Sequence, residues 1–499
     1  MVKINFKGLI AQFKNRFRLL PVAGAANLYD LVPERGTVTQ EGDEITAEAM
    51  NQLQANVEQA IDDLQESVAQ DMADLEAASN EALKQAQAES DTRYSNALTG
   101  TASGAMAHMT DVGIGSLRRL AVLGETAEAG TGDKGPDNPY AVAGLTPTKT
   151  TACGKNLLDW LGMPAGTTVG TWKYSGVTAA KANAAMVLTN TGAWGGIQTI
   201  LPVNPGQKYS LSILADNPSG NGVGIAVCNG LIYDSQKLIC NQCKTDTTVS
   251  LAATVAPSES YITVKFTANH QNASANGTVV TFREMQIEQG TAATAYEPYT
   301  GTTVTLPTLE PLYGDGTIND EYDAATGIET RRWKRLELDG TENWALDGTI
   351  DSSKYRMTLV LPDILNPPDS QTVGDVSCTH YPKLTAGQTY RLNQGISIAA
   401  VTAGKRLMIY DSTYNTNDVS AWKSWLAAQK AAGTPVTVVY QLAEPVVTQR
   451  DPARVIPPAP MCNVYADQGD VDVTYNRDIN IVLSQMQAAI IASGGNINV

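Results

Sequence analysis

The sequence predicts a mainly β protein with a long α-helical coiled coil, and three patterns predict it. Between Ile45 and Ala88 apolar residues recur every eleven positions: Met50, Ile61, Met72 and Leu83 form one series, and Leu53, Leu64, Leu75 and Ala86 another. From Lys155 onward, short runs alternate apolar and polar residues between Gly- and Pro-containing turns, which is the period of a half-buried strand. Near the end, Ile479, Val482, Met486, Ala489 and Ile490 outline an amphipathic helix over 478–492. The fold class is therefore a docking segment, a helical rod, two β-sandwich or jelly-roll-type modules and a short C-terminal helix.

The rod rests on its period. Val57 and Val68 begin a third series that weakens into Ser79 and Ser90. The resulting 3-4-4 stripe is too narrow to be the outside of a globular core and suits burial against copies of itself. Eleven residues over three turns predicts a straight or slightly right-handed supercoil. The oligomer interface expected is Met50, Leu53, Val57, Ile61, Leu64, Val68, Met72, Leu75 and Leu83. An intramolecular bundle is the alternative, disfavoured because no second helical pattern matches this length.

Composition narrows the function. The chain has 499 residues, room for several domains, and a net charge of −16. Glu41 to Leu98 carries fourteen acids against two bases, so most of that charge is the solvated face of the rod and argues against nucleic acid as a partner. Met1 to Gly36 is basic, with six bases and two acids. No run has the roughly twenty apolar residues of a membrane span, and no secretory signal is evident because Lys7, Lys14, Arg16 and Arg18 interrupt the apolar positions. Stable membrane insertion is not expected.

In chain order, residues 3–20 read as an amphipathic helix with Phe6, Leu9, Ile10, Phe13, Phe17 and Leu20 on one face, suited to docking on a partner protein, with a membrane surface as the second reading. Pro33, Gly36 and Gly42 break the stretch before the rod, and Thr46 is its expected N-cap. From 99 to 147 the pattern dissolves into Gly, Ala, Thr and Ser, a neck or linker with one short helical piece over 116–123. The boundaries that follow are 1–44, 45–98, 99–147, 148–301, 302–472 and 473–499.

Several segments resemble a known class of protein. Val38 to Asn51, with Gly42-Asp43-Glu44-Ile45-Thr46-Ala47 and Met50-Asn51, resembles the N-terminal attachment segment of bacteriophage tail-fibre and baseplate-associated proteins, which leads into a coiled coil. Lys155-Asn156-Leu157-Leu158, the Val203–Ser212 hairpin and Met285–Gly301 with its Tyr-Glu-Pro-Tyr strap resemble carbohydrate-binding-type jelly rolls of phage tail proteins. Leu312–Trp344 (strand, Asp-x-x-Thr-Gly turn, strand) and Ser424–Gln449 (helix, strand, Leu-Ala-Glu-Pro turn) resemble segments of siphophage minor structural and tail-tip proteins. The resemblance implies a virion receptor-binding protein, assembled in the host cytoplasm. It further implies a homotrimer docked to tail or baseplate proteins through residues 1–44, with its heads on a bacterial surface glycan. A structural tail-tip component, a glycan depolymerase and a tail-like bacteriocin are the rival readings.

No catalytic pattern stands out. His108, His270 and His380 are the only histidines, and HExxH, GxSxG and phosphate-binding glycine loops are missing. Cys378-Thr379-His380 puts a thiol and an imidazole on one strand face without an activating third group. Cys240 and Cys243, with Cys228 nearby, lack a fourth zinc ligand at standard spacing. Asp315, Asp320, Glu321 and Asp323 depart from EF-hand spacing, so a solvated hairpin is expected there rather than calcium. The expectation is no enzyme, no cofactor and no metal. Glycan binding requires an aromatic platform with polar neighbours. The candidates are Trp160, Trp172, Tyr174, Trp194 and Tyr233, with Asn190, Gln198 and Asn229 beside them. Trp172 and Tyr174, on one face of a strand between Gly170 and Gly176, are expected to be the exposed pair.

Overall fold

A computed structural model describes residues 16–21, 29–34, 47–113, 115, 117–182, 184–269, 276–351, 354–367, 374–385, 394–401, 404–411 and 418–493. They fall in two compact units, Met1–Tyr94 and Ser95–Val499. No helix among these residues is long and apolar enough to cross a membrane.

In the first unit Arg16–Pro21 pairs antiparallel with Tyr29–Glu34. This corrects the described part, residues 16–20, of the helix expected over 3–20. Arg16-Phe17-Arg18-Leu19 alternates with period two, and Pro21 disfavours helical geometry in the residue before it. Residues 3–15 and the expected cap Thr46 lie outside the described residues. Helix α1, Ala47–Leu98, runs for 52 residues, about 78 Å at 1.5 Å per residue. Glutamines donate one turn ahead, Gln59 to Asp63 at 2.7 Å and Gln70 to Asp74 at 2.8 Å, each pair worth about 0.2–0.5 kcal/mol. Among the described residues nothing covers the apolar stripe: Leu75 is 72% exposed and Met72 67%, and only Leu53 of the nine stripe residues is half-buried.

Among the described residues the second unit has three large cores and two small clusters. The first belongs to a sandwich of two five-stranded antiparallel sheets. One sheet has the order Val177–Ala182, Ala185–Asn190, Val279–Gln289, Tyr209–Asp216, Thr248–Val255; the other is Leu238–Lys244, Val223–Asn229, Tyr261–Thr267, Gly196–Pro202, Lys173–Ser175. Leu211, Ile225, Val264, Phe266 and Phe282 fill the space between them. Gly196–Pro202 and Tyr209–Asp216 lie in different sheets, so Val203–Ser212 is an arch across the sandwich and not a hairpin. Gly206 makes its turn with a φ of 79°. The strap after Gln289 is tied down: Asn156 Nδ2 donates to the carbonyls of Met285 and Glu297, and Glu297 N donates to Gln286 Oε1.

The sandwich is inserted in a second body. Its entering strand Lys149–Cys153 pairs with its leaving strand Gly301–Thr305, in register from Gly301↔Cys153 to Thr305↔Lys149. The first of these also joins Cys462–Ala466, which pairs with Ala107–Met109. Beside this sheet lies a seven-stranded one: Val376–Cys378, Val436–Gln449, Ile328–Leu338, Glu321–Asp323, Arg119–Leu123, Val471–Asn476 and Thr99–Gly104. Residues 99–147 are thus no linker. Thr99–Gly104 and Arg119–Leu123, the latter where a helical piece was expected, flank Val471–Asn476, and Leu120, Val122, Tyr322 and Val473 share one core. Nor is 302–472 wholly a separate module, since several of its strands complete sheets begun before residue 155. Leu442-Ala443-Glu444-Pro445 is no turn either. It lies within strand Val436–Gln449, and the irregularity appears as a register shift between Arg331↔Val446 and Trp333↔Gln441.

The third core joins a four-stranded sheet (Trp344–Asp351, Lys354–Val360, Gly404–Tyr410, Gly395–Val401) to helix α2, Val419–Ala431, through Trp422 and Leu426. Helix α3, Ile479–Ala492, is capped by Asp478, which accepts from Asn480 N. Only Val482 on it is buried, while Ile479, Leu483, Met486 and Ile490 are exposed.

Candidate functional site: the outer face of the sandwich

Strand periodicity sorts the candidate aromatics. Tyr174 pairs with Ile197, a core residue, so Tyr174 and Trp172, two residues before it, both face inward. Trp172 is fully buried with its ring edge-on to Phe266 at a centroid distance of 6.4 Å. Trp160 is buried in the same core. This corrects the expectation of an exposed Trp172–Tyr174 pair: the two do share a face, but it is the inner one, and neither tryptophan offers a ring to a ligand. Tyr174 is half-buried and packs on the core edge. Asn190 is buried too, its Nδ2 donating to Ala268 O and Thr278 Oγ1.

The residues between these inward positions point out. Lys173 pairs with Gln198, Gln198 with Lys265, Lys265 with Ala226 and Ala226 with Asn241, one row across all five strands. Phe266 and Val264 are in the core, so Lys265 stands on the outer surface. Its ammonium lies 5.4 Å from the ring centroid of Tyr233, a cation–π contact that anchors both side chains. Partial burial, and then the neighbouring Lys173 charge, lower the Lys265 pKa.

Tyr233 belongs to the loop between strands Val223–Asn229 and Leu238–Lys244. That loop bounds an open groove of about 680 Å³ lined by Asn229, Leu231, Ile232, Lys237, Glu259 and Tyr261 among others. Asn229 Oδ1 accepts from Ser258 N, and Lys237 pairs with Glu259 at 2.8 Å, which fixes the groove's sides. Leu231 and Ile232 are exposed at its rim. Cys228 fastens the loop: its thiol receives Asp234 N at 3.4 Å and lies 3.7 Å from Ile232 O. Trp194, 45% exposed, sits in a different loop with φ +59°, a conformation costly for a side chain of that size. Of the five candidate aromatics, Tyr233 alone lies in the groove, together with Asn229 and beside the row containing Gln198. Lys173 and Lys265 each lie between two inward apolar positions in the sequence, the signal that places them on the outer face.

The other candidate chemistries look structural. Cys378 is buried, which pushes its thiol up to about 11, and burial lowers the pKa of His380. A protonated thiol beside a neutral imidazole is the opposite of an activated pair. Cys240 and Cys243 lie three apart on one strand and therefore face opposite ways. Asp320 accepts from the backbone N–H groups of Tyr313, Arg332 and Trp333, and Asp323 from Leu120 and Ala325. Glu321 pairs with Arg119. Among the described residues no three His, Cys, Asp or Glu side chains are grouped to hold a metal ion. His108 contacts Asn463 Oδ1 through Nδ1, and His270 lies outside the described residues.

No protein-family description and no curated protein matches this chain. Among the solved structures with a likeness in shape are three carbohydrate-binding modules. One titled for the structure and function of CBM4 has 13% identity and a TM-score of 0.20, over 24% of this chain and 86% of its own. A mutant of a carbohydrate binding module family 29 has 14% and 0.19, over 28% and 91%. The tandem CBM22 domain from Paenibacillus barcinonensis has 12% and 0.19, over 62% and 92%. Likenesses this slight assign no residue here.

Proposed function

We propose that this chain is a glycan-binding protein that attaches a virion to a bacterial surface, with the sandwich as its binding head. The observation that carries the glycan reading is the juxtaposition of Tyr233, Lys265, Gln198 and Lys173 on one outer sheet face beside an open groove. A pyranose presents C–H groups to an aromatic or apolar wall and hydroxyls to amides and charges. Tyr233, Leu231 and Ile232 supply the former, and Gln198, Asn229 and Lys265 the latter. The virion reading is supported by the sequence resemblance and by the uncovered eleven-residue stripe of α1, which suits a homotrimeric rod. Residues 1–44 would then dock on tail or baseplate proteins. Three heads on one rod would convert weak single sites into firm attachment. The same reading makes the chain no enzyme.

The test is binding of the full-length protein to a panel of bacterial cells and purified surface glycans. Saturable binding that Tyr233→Ala abolishes supports the proposal, with Trp172→Phe as the core control. A folded protein that binds nothing across the panel leaves a structural tail-tip role instead.

A further inference from the structure

We propose that the saccharide held on this face is acidic, its carboxylate or sulfate group seated between Lys173 and Lys265 across Gln198. This rests on the glycan reading and narrows it to a ligand class. Gln198 pairs with both lysines' strands, so the two Cα atoms are two inter-strand spacings apart, about 10 Å. The Lys173 stem is long enough for its ammonium to reach an anion seated over this row beside Lys265, with Gln198 between them in the same row.

The pair stands apart from the lysines that are neutralised in ion pairs. Lys134, Lys155, Lys237, Lys334, Lys383 and Lys430 each hold a carboxylate. Lys173 and Lys265 hold none among the described residues, in a protein of net charge −16. Lys265 is also half-buried and rests on the Tyr233 ring, which fixes its position without neutralising it. A partly desolvated ammonium beside a second one is an unfavourable arrangement that an anion relieves. The lowered pKa of Lys265 expresses the same imbalance.

Three polymers with one backbone test the inference: dextran, carboxymethyl-dextran and dextran sulfate, each immobilised and presented to the full-length protein. Retention is expected on the charged polymers and not on dextran, and it weakens as NaCl rises from about 50 to about 500 mM. Lys265→Gln and Lys173→Gln each weaken it by about tenfold, and Lys208→Gln leaves it unchanged. The two charged arms distinguish a carboxylate from a sulfate ester, and near-UV circular dichroism checks that each variant is folded. Retention indifferent to both lysines overturns the proposal, as does the absence of retention on either charged polymer. Tyr233-dependent binding to neutral glycans would then leave the broader glycan reading standing, whereas loss of all glycan binding fails both.

Discussion

Helix α1 and the sandwich use the same kinds of apolar side chain and treat them oppositely. Leu75 and Leu64 on the rod are 72% and 64% exposed, whereas Leu211, Ile225 and Phe266 in the sandwich are fully buried. A sheet closes its core within one chain, because a second sheet supplied by the same sequence covers it. A single helix with a narrow stripe supplies no second layer of its own, and under the proposed function another chain would cover it. The core of the sandwich is thus closed within one chain, whereas the proposed role of the rod makes its order depend on association.

The comparison can be broken most directly at the rod. Met72→Asp together with Leu75→Asp is expected to reduce the particle mass in light scattering to that of the 53.0 kDa chain. The melting of the head should stay the same. A wild-type protein that is itself monomeric would end the association reading. In the sandwich, Phe266→Ala is expected to cost about 3–5 kcal/mol in chemical denaturation, from lost burial plus the cavity left behind. Leu75→Ala should change head stability by less than about 0.5 kcal/mol.

A pH titration sharpens the contrast within the head. His380 is buried with its pKa held below the ordinary 6.5. Above that value both folded and unfolded states are neutral there. As pH falls through 6.5 the unfolded chain takes the proton first, so stability declines, and His380→Asn should remove this part of the slope in denaturation measured from pH 7 to 5. A modest effect is expected of Asp478→Ala. It removes the cap of α3 and should cost about 1 kcal/mol, read as a small shift in the thermal transition.

The legible parts of the molecule were the local ones. The helix over 47–98, the strand at 209–216 and the helix at 479–492 follow from periodicity within a few turns or residues. The turn at Asp323–Gly327 was visible as well, because Asp323 Oδ2 accepts from Thr326 Oγ1 and its carbonyl from Gly327 N. The pieces misread share a cause. Thr99–Gly104 has few large apolar residues and becomes a strand only because Val471–Asn476 lies alongside it, more than 350 positions away in the chain. The Val203–Ser212 turn has the composition of a hairpin, and only the two-sheet core decides that it crosses.

By itself the sequence determined the helical rod and its stripe, the alternation of the strands, and the concentration of acid in the first hundred residues. The tertiary structure decided which of two alternating faces is the inside. Trp172 and Tyr174 occupy the face that packs on Ile197 and Phe266, and Lys173 therefore the face that meets solvent. Alternation defines two faces with equal force, and only the sheet stacked against one of them tells them apart.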